Sequence, residues 1–137
     1  MIDHWTLYSM VRADGVRHGL CRKLKKQQLP PGQQYRMWIT LHFKAQPNFL
    51  PSESDLDIFQ EFADYLVKLL GPTGTATLVG VVTFDGKRDH LLYLDIERED
   101  ECYDLVRPLL DVLAIYRPEV ELSHDPTHSQ WQDLFGC

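Results

Sequence analysis

Two apolar runs on either side of an Asp-Gly pair constrain the fold of this chain more than any other feature. Residues 78–84 and 90–96 read LVGVVTF and HLLYLDI, and Asp85-Gly86 lies between them. An Asp-Gly pair in this setting is the strongest short-range signal for a tight β-hairpin, because both residues tolerate positive φ. Both predicted strands are apolar on both faces, so the hairpin is expected to lie inside a sheet that is covered on each side.

The segments around this hairpin alternate between strand and helix periods. Residues 35–43 have apolar side chains at every second position, as a strand with one buried face does. Apolar residues at helical spacing follow a capping-box-like start at Ser54 and Asp57, which predicts a first helix. The same spacing of apolar residues follows the acids at 99–101 and predicts a second helix. The second helix contains Pro108, which predicts a kink or a break.

A last short strand is indicated by Val120 and Leu122, which alternate with glutamates. The resulting order of strand, helix, strand, strand, helix, strand predicts an α+β domain with the ferredoxin-like split βαβ arrangement (βαββαβ) over residues 35–123. A chain of 137 residues is the size of one domain, so we expect a single domain over residues 1–137.

Two additions flank this predicted core. Residues 1–30 are predicted to form a β-hairpin around Asp14-Gly15, followed by a basic loop that Pro-Pro-Gly ends at residue 32. Asp125 is a good N-cap and Pro126 a good first helical residue, so residues 125–136 are predicted to form a short C-terminal helix.

The sheet face away from the two helices is predicted to be too apolar to stay bare in a monomer. We expect it to be covered by the helix that contains Trp131, or by a second copy of the chain in a homodimer. The residues assigned to this face are Trp38, His42, Leu78, Val82, Phe84, Leu91 and Tyr93.

Charge is unevenly distributed along the chain, whose formal net charge is −6. Residues 1–36 contain seven Lys/Arg against two acids, which gives +5, and the remainder contains seven against eighteen, which gives −11. The body is therefore acidic and suits a basic partner. The predicted binding surface is an acidic rim with aromatic anchors on the sheet. The rim consists of Asp95, Glu97, Glu99, Asp100 and Glu101, and the anchors are Trp38, His42 and Tyr93.

Signals for catalysis and cofactors are weak. His124 and His128 are four residues apart and flank Asp125, which makes them weak candidates for a metal site, but no third ligand is identifiable and a structural interpretation is favoured. The cysteines, Cys21, Cys102 and Cys137, have no CxxC spacing, and Cys102 falls on an apolar helical stripe where core packing is expected. No P-loop, GxSxG or HExxH motif is present, so no cofactor is expected and the prediction leans away from an enzyme.

Other classes of partner are less favoured. The segment 17–26 supplies five basic residues without an acid, but a body of charge −11 repels phosphate and the strand 79–84 lacks the basic-Gly-aromatic pattern of RNA-recognition sheets. No signal peptide and no membrane-length apolar run are evident, so a cytoplasmic location is expected.

Several short motifs together resemble the bacterial domain-of-unknown-function family numbered 695. They are a Trp-x-x-Tyr start (Trp5, Tyr8), the hairpin sequence of residues 78–93, and an Asp-to-Trp ending. The positions that carry the resemblance are Gly80, Thr83, Gly86, Arg88, Tyr93, Asp125 and Trp131. The resemblance implies a fold similar to that of the RraB-type ribonuclease E inhibitor, which binds another protein and catalyses nothing, and it supplies no catalytic residue.

These observations favour a non-catalytic protein-binding module, an inhibitor, regulator or immunity-type protein that docks a basic partner through an acidic surface. A small metal-assisted hydrolase that uses His124 and His128, and an RNA-binding domain led by the basic segment, remain the alternatives.

Overall fold

The protein is an α+β domain, and its computed structural model describes residues 5–12, 15–23, 32–47, 50–84 and 86–129. Strands and helices alternate much as the residue periods predict. In chain order the elements are β1 (Trp5–Arg12), β2 (Gly15–Lys23), β3 (Tyr35–His42), α1 (Glu53–Leu70), β4 (Ala76–Phe84), β5 (Lys87–Leu94), α2 (Glu99–Val112) and β6 (Glu119–His124).

The strands form one sheet in the order β1-β2-β4-β5-β3-β6, and every neighbouring pair is antiparallel. The two predicted hairpins, β1–β2 and β4–β5, both occur. Gly86 has a φ of 86° in the second turn, a conformation that the predicted Asp-Gly turn requires of this residue. Strand β3 lies between β5 and the last strand of this order, β6.

Alternating apolar residues of β3 build the core with the helices. Met37, Ile39 and Leu41 are each no more than 1% exposed, as the strand period predicts. Helix α1 lays Phe59, Phe62, Ala63, Leu66 and Leu70 onto this face of the sheet, and α2 adds Cys102 and Val106 to the same core. The expected core role of Cys102 is confirmed.

The start of α1 differs from its prediction by two residues. Ser52, rather than Ser54, is the N-cap, and its hydroxyl accepts a hydrogen bond from the backbone N–H of Asp55 at 3.2 Å. Both serines precede an acid three residues later, so the local pattern alone does not distinguish them. Helix α2 continues through Pro108 to Val112 instead of breaking there. Across the described residues, neither helix combines the length and apolar character needed to span a bilayer.

An irregularity in β4 moves one predicted residue to the other face of the sheet. The pairing of β4 with β5 shifts between Leu78 and Gly80, which places Leu78 opposite Leu92 and Val82 opposite Asp89. An extra residue of this kind reverses the alternation on either side of it. Leu78 therefore faces the helices, and its assignment to the opposite face was wrong, whereas Val82 lies where it was predicted.

The segment after β6 also departs from its prediction. Residues 126 and 127 form a turn, His128 has a φ of 55°, and helical backbone begins at Ser129 rather than at Pro126. The N–H of His128 donates to the carbonyl of Asp125 at 3.1 Å, and the Asp125 side chain accepts from the N–H of Ser129 at 2.8 Å. Residues 130–136 of the predicted helix, like the loop at 24–31, lie outside the described residues.

Candidate binding site on the far face of the sheet

The sheet face away from the helices, here called the far face, carries a polar pocket. Trp38 and Thr40 of β3 lie on this face, with Leu91 and Asp89 of β5 directly opposite them on one side. On the other side, Trp38 is opposite Glu121 and Thr40 is opposite Glu119 of β6. Directly opposed residues of an antiparallel pair have Cβ atoms about 5 Å apart, so these side chains meet across three strands.

These side chains line a pocket of about 460 Å³, here called the sheet-face pocket. Its lining combines one partly exposed aromatic ring with three carboxylates. The lining residues are Trp38, Thr40, Asp89, Glu119, Val120 and Glu121.

Asp89 is the most deeply placed carboxylate of the pocket. The Thr40 hydroxyl donates to its Oδ1 at 2.6 Å and fixes its position. Burial raises the pKa of Asp89 above its ordinary value, and the Thr40 hydrogen bond and the charges of Lys87 and His42 offset part of that rise. A cation beside the ionised carboxylate of Asp89 therefore has a more favourable interaction energy than it has beside a fully solvated carboxylate.

His42, one of the predicted aromatic anchors, lies next to the pocket. Its Nε2 is 3.1 Å from Oε1 of Glu119, and its side chain is mostly buried while that of Glu119 is mostly exposed. Trp38 and His42 are therefore brought together on the far face, as predicted, and both accompany carboxylates that were not among the predicted binding residues. The missed residues are Thr40, Asp89, Glu119 and Glu121.

The acidic rim lies at the other end of β5. Asp89 is near the start of the strand and Asp95 follows its end, and six extended residues span about 20 Å. Asp95 caps a short 3₁₀ turn by accepting from the N–H of Glu97 at 3.2 Å. The predicted single surface is thus two separate regions, the acidic rim and the sheet-face pocket.

One rim carboxylate is held by a neighbouring base. Arg98 donates to both carboxylate oxygens of Glu101, at 2.8 and 3.1 Å, and to the carbonyl of Thr73 at 2.8 Å. The hydrogen bond from Arg98 lowers the pKa of Glu101 and raises that of Arg98. Glu97 and Asp100 are exposed and Glu99 is partly exposed.

Tyr93, the third predicted anchor, lies inside the protein. It is 0% exposed, its hydroxyl donates to Oδ2 of Asp125 at 2.5 Å, and its ring is 4.3 Å from that of His128. The turn after β6 therefore covers this part of the far face, and Tyr93 contributes to the packing there.

The two candidate metal-binding histidines make separate contacts. The ring of His124 stacks on Tyr35 with centroids 4.6 Å apart, and Nε2 of His128 lies 2.8 Å from the carbonyl oxygen of Gln33. That distance requires Nε2 of His128 to carry the proton and to donate it. Within the described ranges, no group of three or more His, Cys, Asp or Glu side chains is placed to hold a metal ion.

Comparison with known proteins identifies the family of this chain. A model of the family of unknown function DUF695 matches residues 3–135. The chain belongs to DUF695. This confirms the family resemblance indicated by the short motifs. No curated protein and no solved structure matches the chain.

The DUF695 motif residues pair with one another inside the protein. Nη1 of Arg88 donates to the Thr83 hydroxyl at 2.7 Å, and both residues are 0% exposed. Tyr93 and Asp125 form the second buried pair. Four of the seven residues that indicated the family therefore make the polar interior of this DUF695 protein, while Trp131 lies outside the described residues.

His90 is a further buried polar group of this DUF695 protein. It faces the helices, with Nδ1 3.0 Å from the carbonyl of Ile39 and its ring edge-on to Phe62. Burial, followed by the charge of Arg88, lowers its pKa to about 3. His90 is thus neutral at pH 7, and its Nε2 has no hydrogen-bond partner among the described residues.

Cys102 lacks the character of a nucleophile. It is 0% exposed, and burial together with Glu101 raises the pKa of its thiol to about 11. A cysteine nucleophile acts as the thiolate, so a thiol that stays protonated at pH 7 fits core packing.

Proposed function

We propose that this DUF695 protein is a non-catalytic binding module that docks a basic protein partner and inhibits or regulates it. The partner inserts a lysine or arginine side chain into the sheet-face pocket. The observation that carries this proposal is the placement of the Trp38 ring among the carboxylates of Asp89, Glu119 and Glu121.

The pocket offers a cation two kinds of favourable contact. A tryptophan ring attracts an ammonium or guanidinium group by about 0.5–2 kcal/mol, more when the contact is desolvated. Carboxylates add charge-assisted hydrogen bonds, for which the planar guanidinium of arginine is especially suited. Asp89 is already held in place by Thr40, so little side-chain freedom is lost when it binds.

Charge elsewhere in the protein supports the choice of a basic partner. Residues 37–137 carry −11, and exposed rim acids such as Glu97 and Asp100 add to the negative field. Such a field raises the association rate of a cationic protein and is screened by salt.

The topology is consistent with this class of protein. The order β4-β5-β3-β6, with α1 between β3 and β4 and α2 between β5 and β6, supports the ferredoxin-like arrangement. A similar arrangement in the RraB-type inhibitor is an analogy at the level of fold, which favours protein binding without assigning a partner.

The test is affinity capture from a lysate of the native host, with the wild-type protein and two double variants as baits. Glu119→Gln/Glu121→Gln removes two of the three carboxylates of the pocket, and Glu97→Gln/Asp100→Asn makes the same change of net charge on the acidic rim. Capture is repeated between about 0.01 M and about 0.15 M salt, where the Debye length falls from about 30 to about 8 Å.

The expected result is one basic protein held in stoichiometric amount by the wild type and by the rim variant. The pocket variant should bind it at least about tenfold more weakly, a loss of about 1.4 kcal/mol. Equal retention by both variants, or capture of no basic protein by the wild type at low salt, contradicts the proposal.

A further inference from the structure

The outer surface of the helical layer contains an apolar groove that the sheet-face pocket does not explain. Among the side chains that the structure describes, six large hydrophobic ones are exposed, and four of these line this groove. Val112 and Ile115 are the most exposed, at 81% and 82%. The groove has a volume of about 660 Å³ and runs between α1 and the end of α2.

The wall formed by α1 has the spacing of one helix face. Ile58, Phe62 and Tyr65 lie at i, i+4 and i+7, so they form a continuous stripe along the groove. The opposite wall is formed by Val112 and Ile115, beyond which the chain turns towards β6. A groove with two such walls is the shape that receives the apolar face of a helix.

The two walls are fixed to each other at the groove floor. The Tyr116 hydroxyl donates to Oδ1 of Asp55 at 2.8 Å, and the Tyr116 ring meets Phe59 edge-on with centroids 4.8 Å apart. Leu113, also in the floor, is 7% exposed. The groove is therefore formed before any partner binds, which lowers the entropic cost of binding.

The surroundings of the groove are acidic. Helix α1 contains five carboxylates against one lysine, and α2 contains five against one arginine, so each helix carries −4. Glu61 lines the groove itself, and Asp57 and Asp111 are exposed next to groove residues on the two walls. An occupant that complements both features has an apolar stripe flanked by lysine or arginine.

We infer that the α1/α2 groove, formed by Ile58, Phe62, Tyr65, Val112, Leu113 and Ile115, binds a basic amphipathic helix of a partner protein. This inference rests on the proposed function in one respect, that the partner is basic. It adds a second contact region and the kind of secondary structure that occupies it.

A synthetic peptide provides the direct test. The probe is a Leu/Lys peptide of about 18 residues, about 27 Å long as a helix, with leucines at i, i+3, i+4 and i+7 and lysines elsewhere. One control peptide has the same composition with alternating leucines, and another replaces each lysine by glutamate. Binding is measured by fluorescence anisotropy and located by ¹H–¹⁵N NMR shifts.

Matched variants separate the groove from other exposed apolar residues. Val112→Ser/Ile115→Ser changes the groove, and Ile96→Ser changes an exposed isoleucine of the acidic rim region. Because all three side chains are exposed, the variants should remain folded, which thermal unfolding verifies. The groove variant should bind the helical Leu/Lys probe at least about tenfold more weakly, and Ile96→Ser should stay within about twofold of the wild type.

Several results overturn the inference. They are no binding of the Leu/Lys helix, equal binding by the groove variant, equal binding of either control peptide, or a wild-type dimer that Val112→Ser/Ile115→Ser converts to monomer in light scattering. In the Glu119→Gln/Glu121→Gln variant, the NMR shifts that the probe causes at groove residues should match those in the wild type. If the lysate experiment fails, but the Leu/Lys probe still binds the groove, only the proposed function is therefore contradicted.

Discussion

Neighbouring polar residues of β5 lie on opposite faces of the sheet in very different surroundings. Arg88 and His90 face the helices, are 0% exposed, and contact Thr83, Phe62 and the Ile39 carbonyl. Asp89, between them in sequence, lines the sheet-face pocket. The alternation of a strand thus places polar residues that are adjacent in sequence in two different settings, the protein interior on one face and an open carboxylate pocket on the other.

Removal of Arg88 should produce the largest loss of stability, because its side chain is fully buried on the face that packs against the helices. The Arg88→Ala substitution removes a fully buried side chain that donates to Thr83 and lies over the ring of Phe59. We expect the free energy of unfolding in urea to fall by about 2–5 kcal/mol, because the truncated side chain leaves a cavity in the core. Arg107→Ala, at an exposed position of α2, is the control and should stay within about 0.5 kcal/mol of the wild type. A loss below about 1 kcal/mol for Arg88→Ala would contradict a structural role.

His90 makes a pH-dependent prediction on the same buried face. Its pKa is about 3 in the folded protein against an ordinary value of 6.5, so the unfolded chain binds a proton that the folded protein does not. The stabilisation from neutral His90 is therefore complete above about pH 6.5 and is lost as the pH falls towards 3. By pH 5 we expect a loss of about 2 kcal/mol.

The measurement is urea unfolding of the wild type and of His90→Gln between pH 5 and pH 7.5. The amide of glutamine is polar but does not titrate, so the variant should show a shallower dependence on pH. Parallel pH profiles for the two proteins would assign the acid sensitivity to other groups.

Tyr93 lies on the far face, but its side chain is buried, so its substitution is expected to lower the stability of the protein. Tyr93→Phe removes one hydroxyl and its 2.5 Å hydrogen bond to Asp125. Because the acceptor is a buried carboxylate, the expected loss of stability is about 1.5 kcal/mol. Tyr65→Phe, at a 45% exposed ring, is the matched control and should be nearly neutral. Equal thermal stability of the two variants would show that this contact contributes little.

Substitution of Asp89 should have the smallest effect on stability, in contrast to its buried neighbours Arg88 and His90. Burial already disfavours its ionised form, and the amide oxygen of asparagine can accept the Thr40 hydrogen bond. We therefore expect Asp89→Asn to change the free energy of unfolding at pH 7 by no more than about 0.5 kcal/mol. Its affinity for a basic partner should fall about tenfold in the same preparation. A loss of stability above about 2 kcal/mol would place Asp89 with the structural residues of β5.

Local patterns predicted most of the elements because they depend on neighbours in sequence. The alternation of Met37, Ile39 and Leu41 and the Asp85-Gly86 pair are such patterns, and the strand and hairpin that they indicate are present. The irregularity after Leu78 and the left-handed backbone at His128 depend on tertiary pairing. Gly80 borders the irregularity and is a signal for it, because an isolated glycine inside a strand often marks a bulge, but the pairing with β5 decides where the register shifts.

The candidate site was harder to predict than the fold. Trp38 and His42 were identified because they alternate with the buried residues of β3 and therefore lie on its other face. Asp89 was missed because the predicted strand began at His90, whereas β5 begins at Lys87 and includes it. With the β3–β5 register, its position opposite Thr40 follows directly. Sequence proximity also grouped Asp95 with the anchors, although the length of β5 separates them.

The most direct test of the sheet-face pocket as a cation-binding site is to locate where a cation binds. A short arginine-rich peptide is titrated into ¹⁵N-labelled protein at about 0.15 M salt, where distant charges are screened. The largest shifts should occur at the Trp38 indole N–H and at the amides of Glu119 and Glu121, and Glu119→Gln/Glu121→Gln should abolish them. Largest shifts at Asp95–Glu101, or unchanged shifts in the pocket variant, would contradict this prediction.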